Sequence, residues 1–331
     1  MQFKLHNLFF YRYFYSFKLY FYALKITYFI HLNNMAFTLK GAIVAIVTPF
    51  LESGEIDWDS FDKLIDWHID SKTDGIVVCG TTGETPTLTD EEDEAVIARA
   101  VEKIKGRIPV IAGSGSNCTQ TAIRKTQKAK NLGADAALVV VPYYNKPTET
   151  GIYNHFSTVA QSVDIPIILY NVPSRTGTSI LPETVIRLAK DFDNIVATKE
   201  ASGDLSYFTQ IIASAPKTFL VYSGDDFLAS SANLLGAHGC ISVVANIIPA
   251  EFQQLMKVSL QGDAIATRKS FYKYKKLMEL CFVESNPIPV KTALAEMGFI
   301  KEFYRQPLCK ITPENRQLLL NEMKNLKLIE K

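Results

Sequence analysis

Lys199 follows the apolar run Ile195-Val196-Ala197 and Thr198, which places a lysine at the end of an expected buried strand. Apolar surroundings disfavour the charged form of an amine, and a neutral amine condenses with ketones and aldehydes to give imines. For that residue alone, an ion pair with Glu200 or a solvated strand-end lysine is an equally ordinary expectation. Imine formation also needs a proton carrier, and Tyr170 closes the preceding apolar run. Thr81 with Tyr144 could pass a proton onward, although a single tyrosine in a strand usually serves packing. Thr82 lies in the segment Gly80-Thr81-Thr82-Gly83-Glu84, whose amides and hydroxyls suit a carboxylate in the manner of a nest; the same glycines also suit a plain tight turn. Arg175, between Pro173 and Gly177, fits bidentate carboxylate recognition or a surface salt bridge. Asp225-Asp226 has the charge for a divalent metal, but with no histidine nearby a helix N-cap pair is preferred.

These residues share a position relative to the elements that must hold them. Eight nearly continuous apolar runs follow residue 41: Ala42–Val47, Ile76–Cys79, Ile108–Ala112, Ala136–Val141, Ile165–Tyr170, Ile195–Ala197, Phe219–Tyr222 and Cys240–Ala245. Such runs read as parallel strands covered on both faces. Helix signals separate them: an Asp57 N-cap before Phe61, Leu64, Ile65 and Ile69, a capping box at Thr89 and Glu92, and Pro182 in a first helical turn. Eight strand–helix units give an α/β chain of the (β/α)8 (TIM) barrel type, in which chemistry sits where strands end and loops begin. A doubly wound sheet is the alternative, but Thr48-Pro49-Phe50 after the first run has no glycine-rich fingerprint. Beyond residue 248 the pattern is purely helical. The expected organisation is a catalytic barrel over 35–247 and a C-terminal helical appendage over 248–331.

Composition narrows the class. The 331 residues are 47% apolar and 21% charged with a formal charge of +1, which describes a globular protein and gives no basic surface for nucleic acid. The first 34 residues differ: they hold Lys4, Arg12, Lys18 and Lys25, no acids, and many of the chain's tyrosines and phenylalanines. Charges every six or seven positions argue against a membrane span, and neither a signal nor a transit peptide pattern fits. Residues 1–34 are expected to be a non-native or disordered leader, with working translation starting at Met35. The five cysteines are widely spaced and read as reduced thiols rather than a disulfide or metal framework.

Taken in order, the segments Val44–Pro49, Gly80–Glu84, Ile108–Gly115, Pro142–Pro147, Leu169–Gly177, Lys199-Glu200-Ala201, Ser223–Asp226, Gly239–Val243 and Asn286–Lys291 resemble the lysine-dependent pyruvate aldolase superfamily and, within it, the dihydrodipicolinate synthase family. The likeness runs from about Phe37 to the C-terminus. It implies that Lys199 forms an imine with pyruvate, that Tyr170 relays protons, and that Thr81 links Tyr170 to a Tyr144 reaching in from a neighbouring subunit of a homotetramer. Thr82 would hold the pyruvate carboxylate, Arg175 the carboxylate of L-aspartate-4-semialdehyde, and backbone around Gly224 and Ile241 would shape the pocket. The resemblance further implies no metal or organic cofactor, no nucleic-acid or membrane partner, and a cytoplasmic enzyme of diaminopimelate and lysine biosynthesis. N-acetylneuraminate lyases and 2-keto-3-deoxy-sugar-acid aldolases share the lysine and tyrosine, but Arg175 and the Tyr143-Tyr144 pair favour the short amino-carboxylate. A non-catalytic barrel binding 2-oxo acids is the reading from another class. Where lysine-inhibited relatives carry histidine and glutamate, Asp93 and Thr121 stand here, although Asn117 and Tyr143 are retained; feeble feedback inhibition is expected.

Overall fold

The computed structural model describes residues 37–330; the leader of residues 1–34 and the expected start at Met35 lie outside them. Eight parallel strands pair in sequence order: β1 (Gly41–Ala45), β2 (Gly75–Val78), β3 (Val110–Gly113), β4 (Ala136–Val140), β5 (Ile167–Asn171), β6 (Ile195–Glu200), β7 (Leu220–Ser223) and β8 (Gly239–Ser242). β1 pairs with β2 on one side and with β8 on the other, so the sheet is a closed barrel with no free edge. The helices that follow each strand are α1 (Trp58–Asp70), α2 (Asp90–Ile104), α3 (Thr119–Asn131), α4 (Glu149–Ser162), α5 (Pro182–Asp191), α6 (Leu205–Ser214), α7 (Asp226–Leu234) and α8 (Pro249–Leu260). Three more complete the chain: α9 (Ala264–Leu280), α10 (Ile288–Glu296) and α11 (Pro313–Asn325).

Local signals explain the helix starts. The Asp57 carboxylate accepts from the Ser60 amide at 3.1 Å, Thr89 and Glu92 form the reciprocal capping box of α2, and Pro182 occupies the first turn of α5. Asp225 caps α7 through the amides of Phe227 and Leu228. Asp226 does not share that job. Fully buried, its carboxylate accepts from the amides of Val243 and Val244 at 3.2 and 2.8 Å, so the expected cap pair splits into one cap and one loop anchor. That anchor also explains why β8 is shorter than its apolar run. With those amides turned toward Asp226, and the Ala245 amide bonded to Ser242 Oγ at 2.9 Å, the chain leaves the ladder and makes a single tight turn over Val244–Asn246.

The boundary between barrel and appendage falls later than residue 247. Phe252, Leu255 and Met256 of α8 are completely buried and α8 packs directly on β1, as the three later helices do not, so α8 is the eighth barrel helix rather than the first of the appendage. The appendage is α9 to α11. It is fastened to the barrel by apolar packing, including Phe299 stacked on Trp67 of α1 with ring centroids 4.2 Å apart. All five cysteines are free; Cys79, Cys240 and Cys281 are buried, whereas Cys118 and Cys309 are exposed. Burial pushes the three buried thiols well up, which keeps them unreactive.

Closure of the barrel depends on Gly239, whose φ is +135° and whose position would bring a Cβ to 2.1 Å from the Gly41 carbonyl oxygen. Backbone cannot give way there without breaking the β1–β8 pairing. Gly239→Ala is expected to destabilise the fold by more than about 3 kcal/mol, the range of severe backbone and packing lesions. Urea unfolding of this variant with a near-native midpoint would overturn that account.

Candidate active site

β5 and β6 place the two central side chains side by side, because Tyr170 and Lys199 are register partners across the ladder. Both are nearly buried, at 7% and 6% exposure, and the Lys199 Nζ lies over the Tyr170 ring, 4.3 Å from its centroid. Alternation along β6 sends Glu200 to the opposite face. There its carboxylate accepts from Asn171 Nδ2 at 2.8 Å and from the Ser202 amide at 2.5 Å, and burial raises it above the usual carboxylate range. The Lys199–Glu200 ion pair therefore does not form. Among the described residues no carboxylate lies within salt-bridge distance of Lys199. Gly224 supplies the space it needs, since a Cβ there would sit 2.8 Å from Lys199 Cε.

Lys199 and Tyr170 open into a cavity of about 410 Å³ walled by Thr81, Thr82, Arg175, Gly224 and Asn286, with Phe282 from the end of the appendage's first helix also lining it. That size lies within the usual ~300–1,000 Å³ of small-molecule sites. Two expected residues stand elsewhere. Tyr144 is 88% exposed, has a φ of +69° and is not part of the cavity wall. Ile241 is completely buried in β8, and Val243 lines the cavity in its place. Among the described residues the side chains of Thr81, Tyr144 and Tyr170 make no hydrogen bond to one another within this chain.

The appendage finishes the wall. Asn286 Nδ2 donates to Thr82 Oγ1 at 2.9 Å, and the Asn286 carbonyl accepts from Arg175 at 3.2 Å. Arg175 itself rides on a single helical turn, Pro173–Thr176. Glu84, with a φ of +56° at the end of the threonine loop, reaches Lys291 of α10 at 2.5 Å, both side chains being fully sealed from water. Burial pushes the Glu84 carboxyl up and the Lys291 ammonium down, each partly offset by the other's charge. Arg305 closes the cluster, holding Glu92 and the carbonyls of Gly54 and Thr87. The segment Asn286–Lys291 is visible in the sequence, but no pattern assigns its asparagine or its lysine to a loop some 200 positions away. Near Thr121, Asp93 is buried and paired with Lys125 at 2.7 Å.

A buried lysine set against a phenol at a barrel's mouth, with no carboxylate within salt-bridge distance among the described residues, is an arrangement suited to imine chemistry, and the relatives below make this chain a lyase of the Schiff-base type. Residues 38–326 match the model of the Dihydrodipicolinate synthetase family. The 4-hydroxy-tetrahydrodipicolinate synthase of Aquifex aeolicus is 48% identical over 289 residues, covering 87% of this chain and 98% of that protein. That of Thermodesulfovibrio yellowstonii is 50% identical over 291 residues, 88% of this chain and 99% of that one. Among solved structures, dihydrodipicolinate synthase from Aquifex aeolicus superposes with a TM-score of 0.86 at 48% identity, covering 88% of this chain and 100% of that one. The chloride-inhibited dihydrodipicolinate synthase of Acinetobacter baumannii, complexed with pyruvate, gives 0.87 at 46% identity and the same coverage. The chain belongs to the Dihydrodipicolinate synthetase family.

Removing one member of a sealed ion pair leaves the other charge without compensation. Lys291→Met is expected to cost about 3–5 kcal/mol on that ground, measured as the shift in urea unfolding free energy. A loss below about 1 kcal/mol would show that Glu84 already folds as the neutral acid.

Proposed function

We infer that this protein condenses pyruvate with L-aspartate-4-semialdehyde, through an imine on a lysine, to give 4-hydroxy-tetrahydrodipicolinate in diaminopimelate and lysine biosynthesis. The observation that carries the reading is the near-complete, 48–50% identical match to curated synthases of that name. Its agreement with a barrel whose mouth holds an amine without an ion-pair partner among the described residues supports the same conclusion. In the assigned roles, the Lys199 amine attacks the keto carbon of pyruvate, water leaves, and the iminium draws electrons as a methyl proton departs. The resulting enamine carbon attacks the aldehyde; the substrate's own amine then displaces Lys199 and closes the ring. Tyr170, at the lysine, carries the protons that each of these steps gains or loses. Thr82 receives the pyruvate carboxylate and Arg175 that of the aldehyde, with Thr81 and Gly224 completing the wall and Ile241 packed behind it. No metal or organic cofactor is called for, because the protonated imine is itself the electron sink.

The working form is a homotetramer, a dimer of dimers in which Tyr144 enters the neighbouring subunit's site. Its 88% exposure on a left-handed backbone supports that assignment, since such strain gathers at functional positions and the phenol is left free to reach another chain. The enzyme acts in the cytoplasm; no described helix is long and apolar enough to cross a membrane.

Borohydride added to the protein with pyruvate should trap a reduced adduct on Lys199, read by peptide mass, and Lys199→Ala should abolish it. An adduct on another lysine would refute the assignment. Tyr170→Phe should lower kcat by about two orders of magnitude or more, as loss of a general acid–base does, whereas Arg175→Ala should chiefly raise KM for the aldehyde. Equal effects of both on pyruvate KM alone would contradict this division.

Free lysine should inhibit feebly. Thr121 offers its ammonium no charge, and Asp93 is paired with Lys125, whose own ammonium competes for the carboxylate that the ligand would need. Coupled assays should show less than about twofold loss at millimolar lysine; half-inhibition at tens of micromolar would overturn this, since it needs a strongly preferred bound state.

A further inference from the structure

We propose that Asn286 is the residue that makes Thr82 a hydrogen-bond donor to the substrate carboxylate, and that it acts as a positioning residue without touching the reacting atoms. The proposal rests on the pyruvate reading above and deepens it. Thr82 is 98% buried, with 2% exposure, so its hydroxyl has few partners to choose from. A hydroxyl can both give and accept a hydrogen bond, and in a pocket meant for an anion only the giving direction is useful. Asn286 Nδ2 donates to Thr82 Oγ1 at 2.9 Å, which occupies an acceptor lone pair and turns the hydroxyl proton away from the asparagine. Among the described residues that proton meets no protein acceptor, so a carboxylate in the cavity is its natural partner.

Asn286 has one side-chain bond, that to Thr82, and its Oδ1 is buried without a partner among the described residues. It is 95% buried, with 5% exposure, and its peptide carbonyl accepts from Arg175 at 3.2 Å. One residue of the appendage thus braces both groups assigned to carboxylates: Thr82 through its side chain and Arg175 through its backbone. The two attachments predict different outcomes on substitution. Changing the side chain releases Thr82 but leaves the carbonyl that steadies Arg175, so the pyruvate half of the reaction should suffer first.

The test is a double-mutant cycle on pyruvate binding, using Asn286→Leu and Thr82→Val, which remove the amide and the hydroxyl at similar volume. Pyruvate KM in the coupled assay and the pyruvate concentration giving half-maximal borohydride trapping on Lys199 are both read. Asn286→Leu should raise each about tenfold, the equivalent of ~1.4 kcal/mol or one well-placed hydrogen bond, while kcat changes little. Added to Thr82→Val, it should cause almost no further loss, because the hydroxyl it orients is gone. Asn286→Ser, short but polar, guards against misfolding and should fall between wild type and Asn286→Leu. Additive losses in the cycle, or a kcat effect with unchanged pyruvate affinity, would overturn the proposal. Failure of the wild-type protein to be trapped by pyruvate at all would instead refute the functional reading on which it rests.

Discussion

An ammonium and a carboxylate sealed from water pin the C-terminal appendage to the loop that follows β2. Lys291 and Glu84 are each expensive to bury alone, and together they are tolerable only at close range with good geometry. Their contact therefore fixes where α10 meets the loop after β2, and the rest of the site inherits that fix. Thr81 and Thr82 lie three and two residues before Glu84, Asn286 lies five before Lys291, and the bond between Asn286 and Thr82 follows from the register this pair imposes. Phe50 and Tyr304 flank the Lys291 ammonium, their ring centroids 4.4 and 5.3 Å away, so the surroundings favour a cation as well as excluding water.

Two lysines are buried among the described residues, and their surroundings are opposite. Lys291 is paired with a carboxylate and works as a strut; Lys199 lies in the cavity wall over a tyrosine ring, with no carboxylate within salt-bridge distance among the described residues. The difference arises from strand alternation. Glu200 follows Lys199 in sequence, yet the pleat sends it to the other face, where Asn171 and Ser202 absorb its charge. Adjacency in sequence and adjacency in space are opposed here, and the opposition leaves the amine without a counter-ion.

Much of this was legible from the chain alone. Apolar runs bounded by helix signals give the barrel, because each strand of a parallel barrel is covered on both faces and needs no polar alternation. The strand-end residues Lys199, Tyr170, Thr82 and Arg175 follow from the rule that chemistry gathers at the strands' C-terminal ends. Three things were not legible. The second role of Asp226 needs knowledge that β8 bends back over it; the assignment of α8 to the barrel needs its packing on β1; and the bonds from Asn286 and Lys291 join positions 204 and 207 residues apart. Periodicity and capping report neighbours within a few turns, and none of these contacts is local.

That separation bears on how the protein is made. Synthesis runs from the N-terminus, and domains fold as their residues emerge. Lys199 leaves the ribosome long before Asn286, Lys291 and Arg305, the residues that hold the threonine loop. A chain that stops before residue 286 thus carries Lys199 without the groups that hold the threonine loop beside it. The cavity wall is complete only once the appendage has emerged and docked, so a cut within the last three helices removes part of the site itself rather than trimming a peripheral tail.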